Sequence, residues 1–191
     1  MTYRPKLFAA IDLDDKVRAR CAEVSARLER QGLTGRFEPP EKLHITLAFL
    51  GWVDPEQVDP IREALRVTAS QTAPFIATLD KLGAFPNERN PHVVWIGARD
   101  QGAEFRDLAR ALRAAFGKIG FAFDKDAVTH VTLARIKEQR VHLPLLEFEP
   151  IKLHVDELTL FDSLPDKHTT RYEVRDRAPL ARPTRARRTT R

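Results

Sequence analysis

Two five-residue segments constrain this chain more than anything else in it. His44-Ile45-Thr46-Leu47-Ala48 and His130-Val131-Thr132-Leu133-Ala134 are near copies, 86 residues apart. One copy would carry little weight. Two, each set in a strand-like run, argue for an internal duplication, so the chain should fold as two similar halves. Side chains alternate faces along a strand, so His44 and Thr46 point one way while Ile45 and Leu47 point the other. His130 and Thr132 stand likewise against Val131 and Leu133. Each copy thus buries an aliphatic pair and offers an imidazole and a hydroxyl to the opposite side. If the halves pack with approximate two-fold symmetry, two imidazoles and two hydroxyls converge on one groove.

The rest of the chain reads as alternating strands and helices. Lys6 to Leu13 is a short apolar strand. Asp14 to Gln31 places Val17, Cys21, Val24 and Leu28 three or four apart, an amphipathic helix with Asp14 or Asp15 as N-cap and Gly32 closing it. Short strands are expected at Arg36–Pro39 and Lys42–Gly51. Asp54 or Asp59 should cap a helix carrying Ile61, Leu65 and Thr68, and a strand at Phe75–Leu82 precedes a Gly-Ala-Phe-Pro-Asn turn region. His92–Gly97 is a strand. A helix over Gln101–Gly117 puts Phe105, Leu108, Leu112, Ala115 and Phe116 on one side, and strands follow near Phe121–Phe123, Val128–Ile136, Ile151–Phe161 and Arg171–Val174. The order suggests an α+β fold of two small antiparallel sheets, helices on their outer faces and a central cleft. Parity along the strand assigns Phe49, in step with Ile45 and Leu47, to the core.

Charge says less than it first suggests. The formal net charge is +5, yet the segment from 177 to 191 (RAPLARPTRARRTTR) holds six Arg and no acidic residue. The remainder has 26 basic against 27 acidic residues. This divides the chain into a single body over residues 1–176 and a basic, disordered tail over 177–191 that adds either phosphate affinity or solubility. No apolar run approaches the ~18 residues of a membrane span. The opening Met1-Thr2-Tyr3-Arg4-Pro5-Lys6 lacks the pattern of a signal peptide, so a cytoplasmic monomer is expected. A single cysteine, Cys21, excludes an internal disulfide framework and Cys-rich zinc sites. His92 reads as a turn or strand-start residue. His142, His154 and His168 fit no metal-ligand spacing and read as exposed or structural, so neither metal nor cofactor is expected. No Gly-x-Ser-x-Gly, Walker sequence or GxGxxG occurs.

The paired array suits a phosphodiester. With pKa near ~6.5, one imidazole can be neutral while its twin is protonated at neutral pH. The neutral one activates water and the protonated one donates to the departing oxygen. Thr46 and Thr132 can donate to the non-bridging oxygens without a metal.

The segments LHITLAFLG (43–51), KLFAAI (6–11), GAFP (83–86), VWIG (94–97), HVTLAR (130–135) and LFDSL (160–164) together resemble the 2H phosphoesterases. Within them the likeness is to the RNA 2′,3′-cyclic phosphodiesterases, also called the 2′-5′ RNA ligase family, over about residues 4–175. The resemblance implies a bilobal fold with a cleft, and hydrolysis of 2′,3′-cyclic phosphate ends of RNA, or of cyclic nucleotides, to 2′-phosphomonoesters. It implies His44 as general acid, His130 as general base and Arg135 as a phosphate ligand. Simple alternation, however, puts Arg135 opposite His130, and it reaches the groove only if the strand bulges or ends after Thr132. In the family pattern a Pro precedes the second motif, where this chain has Thr129. Phe8 could stack on a base, against the alternative of core packing. Tyr172 and Ser163 match late family positions without an assigned role. Competing readings are 2′-5′ RNA end joining, cleavage of another cyclic phosphate such as an ADP-ribose derivative, and a non-catalytic module that binds RNA ends or nucleotides.

Overall fold

A computed structural model describes residues 3–137, 142–166 and 169–181. Its elements are β1 (Lys6–Asp12), α1 (Asp15–Arg30), β2 (Arg36–Phe37), β3 (His44–Trp52), α2 (Val58–Ser70), β4 (Phe75–Leu79), β5 (Lys81–Asn87), β6 (Asn90–Gly97), α3 (Ala103–Gly117), β7 (His130–Arg135), β8 (Ile151–Val155), β9 (Glu157–Asp166) and β10 (Thr169–Pro179). The fold is α+β with antiparallel pairing throughout.

The main sheet runs β10-β9-β1-β3-β7-β6-β5, with β2 beside β7; a separate ribbon pairs β4 with β8. The two halves meet between β3 and β7 at a single residue pair, Ile45 with Val131. These two residues hold the same place in the repeated motif. The junction is therefore self-complementary, as an internal two-fold requires, and it joins the expected pair of sheets into one. On one side of it β1 and β9 follow β3; on the other, β6 and β5 follow β7.

Helices cover one face of this sheet. In α1, Val17, Cys21, Val24 and Leu28 are buried, and the Asp14 carboxylate accepts from the Val17 N–H at 2.9 Å, a side-chain N-cap. That helix packs on β7 and β8, while α2 and α3 pack together and against β10, β9 and β3. In α3 the buried set is Phe105, Leu108, Ala109, Leu112 and Phe116. Leu7, Ala9, Ile11, Ile45, Leu47, Val131 and Leu133 meet these helices and are almost inaccessible. Truncating any one of these leucines to Ala would cost about 2–5 kcal/mol. Burial pushes the Cys21 thiol up to about 12, which leaves it an inert core residue. Among the described residues no helix is long and apolar enough to cross a membrane.

Several sequence expectations change in detail. The long apolar runs at 75–82 and 151–161 are each broken by an aspartate. The Asp80 N–H donates to Gly97 O and its carboxylate accepts from Arg99 N, while Asp156 O accepts from Leu180 N. The first part of each run leaves to form the β4–β8 ribbon. The Gly83-Ala84-Phe85-Pro86-Asn87 segment belongs to strand β5 rather than a turn; it lies at the sheet edge, where a proline costs no ladder hydrogen bond. Residues 121–123 form no strand; Phe121 and Phe123 pack on the core from a loop. Neither Asp54 nor Asp59 caps α2 through its side chain. Asp54 instead faces Arg4 at 3.0 Å.

Composition placed the end of the body too early. β10 runs on to Pro179, Ala178 and Leu180 are buried, and Ala181 N donates to Ala69 O and Thr72 O. Arg177, counted with the basic tail, is ion-paired with Glu157 at 2.7 Å and Asp12 at 3.2 Å. The rest of the tail (182–191), like His168, lies outside the described residues.

Candidate active site

The face of the main sheet opposite the helices carries a cleft of about 290 Å³, centred on the β3–β7 junction. His44, Thr46, His130, Thr132 and Arg135 all line it, together with Glu38, Lys42, Phe49, Phe85, Ser163 and Tyr172. The two motifs thus meet in one groove.

Arg135 reaches the cleft through a β-bulge. In the β6–β7 ladder Trp95 pairs with Thr132 and Val94 with Ala134, leaving Leu133 unpaired. The extra residue resets the alternation, so Arg135 returns to the face of Thr132. The same irregularity occurs in the first motif: Ala10 pairs with Thr46 and Ala9 with Ala48, leaving Leu47 unpaired. The expectation for Phe49 is therefore overturned. It sits on the cleft face, 54% exposed, at the position that Arg135 holds in the second copy. The consecutive buried pairs Leu47-Ala48 and Leu133-Ala134 are the local mark of each bulge. Strict alternation would have exposed one residue of each pair.

Each imidazole is oriented by its own strand. His44 Nδ1 lies 2.6 Å from Lys42 O, and His130 Nδ1 lies 2.9 Å from Val128 O. A carbonyl only accepts, so each Nδ1 carries hydrogen and each Nε2 is left for chemistry. His44 Nε2 lies 3.1 Å from Thr46 Oγ1. The Lys42 turn is held in place by Arg18, whose guanidinium donates to Pro40 O (2.8 Å), Leu43 O (3.2 Å) and Leu13 O (2.8 Å) and pairs with Asp12.

The second motif has a different support. Thr129 N donates to the Gln101 side-chain oxygen, and Gln101 Nε2 donates to Ala98 O at 2.8 Å. A proline at 129 would have no N–H to give. The departure from the family pattern is thus matched by a partner on the α3 side, which no signal in the sequence marked.

Phe8 is 4% exposed, with its ring 4.9 Å from His44, 5.2 Å from Phe161 and 5.0 Å from Tyr172. These rings form a small apolar cluster on the cleft face that walls His44. Phe8 also lines the cleft, but at 4% exposure it offers little ring surface for a base; Phe49, at 54%, and Phe85, at 37%, are the more open rings there. Trp95 and Phe85 stand beside His130, at 6.3 Å and 5.2 Å between centroids. Gly83 and Gly97 leave the space that the indole fills: a Cβ on Gly83 would lie 2.4 Å from its ring.

Both imidazoles titrate below their ordinary value. Burial is the largest cause at each, opposed by the carbonyl bond that each Nδ1 makes. The smaller contributions differ. His44 is lowered by His130 and raised by Asp12 and Glu38, whereas His130 is lowered by Arg135. Glu38 accepts from Arg135 Nε at 3.0 Å and so fixes the guanidinium at the rim.

The family model described as LigT like Phosphoesterase matches the chain twice, over residues 11–95 and 96–172, one copy of the repeated motif falling in each match. A protein from Archaeoglobus fulgidus named RNA 2′,3′-cyclic phosphodiesterase is 39% identical over 135 residues, covering 70% of this chain and 74% of its own. Its namesake from Methanothermobacter thermautotrophicus is 35% identical, covering 71% and 73%. Among solved structures, TT0787 of Thermus thermophilus superposes with a TM-score of 0.82 at 30% identity, covering 92% of this chain and 97% of that one. E. coli LigT complexed with 3′-AMP superposes with a TM-score of 0.73 at 29% identity, covering 94% and 100%.

Proposed function

The chain belongs to the LigT-like phosphoesterase family, and on that premise we propose that it hydrolyses 2′,3′-cyclic phosphate ends of RNA or nucleotides to 2′-phosphomonoesters, with His130 as general base and His44 as general acid. The observation that carries this reading is the convergence of both His-x-Thr pairs on one cleft with Arg135 at its rim. The names of its relatives supply the substrate class.

The hydrogen bonds at Nδ1 leave a lone pair on His130 Nε2, which takes a proton from water as the water oxygen attacks phosphorus. The P–O3′ bond breaks, and His44 Nε2–H gives its proton to the departing 3′ oxygen. Afterwards His130 holds the proton and His44 lacks one, so exchange with solvent restores the starting state. Local charge supports this division of labour. Asp12 and Glu38 favour the imidazolium at His44, while Arg135 disfavours it at His130. His130 also lowers the His44 titration, so charge on one ring disfavours charge on the other. Thr46 and Thr132 hydroxyls and the Arg135 guanidinium are the donors for the non-bridging oxygens, which bear charge throughout the displacement. Thr46 also meets His44 Nε2, and that bond reverses direction when the ring is protonated.

No step in this scheme calls on a metal, so chelation by EDTA should leave turnover unchanged. We take the acting unit to be a monomer, because one chain supplies both histidines. The test is turnover of 2′,3′-cyclic AMP by His44→Ala and His130→Ala. Each should lose about 10²–10⁴-fold in kcat/KM while melting as a folded protein. Wild-type turnover by either variant, with the fold intact, would refute the assignment; no turnover by the wild-type protein itself would favour a binding module.

A further inference from the structure

Beyond the cleft, the same sheet face carries a second set of aromatic and cationic side chains that the hydrolytic scheme does not use. The β1–β3 register pairs Phe8 with Phe49 and Lys6 with Trp52, and Leu50 is left unpaired as a second bulge in β3. That bulge restores alternation once more, so Trp52 and Lys6 share the face of Phe49 and His44. Trp52 is 62% exposed and Phe49 54% exposed. The Lys6 ammonium lies 5.6 Å from the Phe49 ring centroid and 5.8 Å from that of Trp52. One cation thus bridges two open rings, the first inside the cleft and the second outside it.

The second copy is built differently: its ammonium–ring contact, Lys81 over Trp95 at 5.9 Å, is made to a ring only 7% exposed. Its counterpart of Phe49 is Arg135, tied to Glu38. The duplication is therefore asymmetric where it leaves the cleft: one rim ends in a guanidinium fit for phosphate, the other in a run of ring, ammonium and ring. Trp52 keeps 62% of its surface in solvent, and with Phe49 and Lys6 it makes a contiguous open aromatic patch of the kind that marks a binding site. Alternating aromatic and basic groups along a strand are the means by which single-stranded nucleic acid is held, bases on rings and phosphates on cations.

We propose that Trp52 and Lys6 form a subsite for the nucleotide preceding the cyclic-phosphate end of an RNA strand: the base stacks on Trp52 and the intervening phosphate meets Lys6. The subsite rests on the hydrolytic reading of the cleft and extends it, from cyclic mononucleotides to polynucleotide ends. Its continuity with the cleft through Phe49 and its positive charge select RNA over an apolar protein partner.

The experiment compares kcat/KM on 2′,3′-cyclic AMP and on an oligoadenylate trinucleotide ending in a 2′,3′-cyclic phosphate, for the wild type, Trp52→Ala, Trp52→Phe and Lys6→Ala. The wild type should prefer the trinucleotide by about tenfold. Trp52→Ala should erase that preference and leave the mononucleotide rate within about twofold; Trp52→Phe should keep most of it, and Lys6→Ala should lose part. Equal effects of Trp52→Ala on both substrates, or no effect on either, would overturn the subsite. So would a change in oligomeric state in sedimentation with unaltered substrate preference, which would mark a protein interface. Fluorescence separates this failure from that of hydrolysis itself. The chain has two tryptophans, and the other, Trp95, is 7% exposed. A 2′-phosphate-ended trinucleotide should therefore quench Trp52 more than 2′-AMP does, whether or not the cleft turns substrate over, and the absence of that difference would also overturn the proposal.

Discussion

Replacing Arg135 with Ala isolates the consequence of the Leu133 bulge. The side chain is half exposed and, among the described residues, its ion-pair partner is Glu38, at 3.0 Å. Glu38 is largely covered but keeps Arg36 at 3.4 Å when Arg135 is lost, so the change should cost about 1 kcal/mol or less and hardly move the melting temperature. Its proposed contact with a non-bridging oxygen is a charge-assisted hydrogen bond, about 1.5–3 kcal/mol. At about 1.4 kcal/mol per decade, kcat/KM for 2′,3′-cyclic AMP should fall about 10- to 100-fold. A second signature is independent of that contact. Arg135 lowers the His130 titration, but burial lowers it more. Removing the guanidinium should therefore move the acid limb of kcat/KM upward, only part of the way to ~6.5. Arg135→Lys keeps the charge and loses the two-pronged donor, so its limb should stay in place while kcat/KM drops to an intermediate level. A pH-rate series on the three proteins, with thermal melts alongside, checks all of this. An Ala variant within about threefold of the wild type with an unmoved limb would refute the reasoning, because Arg135 would then face the cleft without acting in it.

Three further outcomes are expected. Because burial lowers the His44 pKa, the folded protein binds fewer protons than the unfolded chain below ~6.5, and stability drains away as pH falls through that range. His44→Ala removes this loss, so its melting temperature should gain on the wild type between about pH 7.5 and 5; a constant difference would contradict the buried, neutral ring. Gly97→Ala would put a Cβ 2.2 Å from Thr129 O and 3.1 Å from the Trp95 ring. The overpacking, about 1–3 kcal/mol, should lower the melting temperature by several degrees and reduce kcat by displacing His130, both read on one preparation. Ending the chain after Ala181 removes five arginines, which should flatten the dependence of log RNA affinity on log salt while sparing cyclic mononucleotide hydrolysis. An unchanged slope would show that these arginines do not engage phosphates.

The duplicated motif made the core of the site legible in the sequence, because period-two alternation needs only local chain geometry. What lay beyond Leu47 and Leu133 was not legible. A bulge is defined by pairing with a neighbouring strand, so no reading of β3 alone could carry Phe49 across to the cleft, and Arg135 could be placed only conditionally. The clue present was the pair of consecutive apolar residues, Leu-Ala, in both copies. Gln101 was invisible for a similar reason: its partner, Thr129 N, lies 28 residues away. The early end given to the body came from reading an arginine-rich, proline-containing segment without acidic residues as disordered. Arg177 finds Glu157 and Asp12 only once β10 has paired with β9.

The central claim is that two imidazoles work in concert on one phosphorus atom, expelling the 3′ oxygen. It is tested most directly by hydrolysing 2′,3′-cyclic AMP in ¹⁸O-labelled water and following the products by ³¹P NMR. The account predicts 2′-AMP alone, bearing one labelled oxygen on phosphorus, with label incorporation all but lost in His44→Ala and in His130→Ala. Formation of 3′-AMP, or label appearing at full rate in either variant, would contradict it.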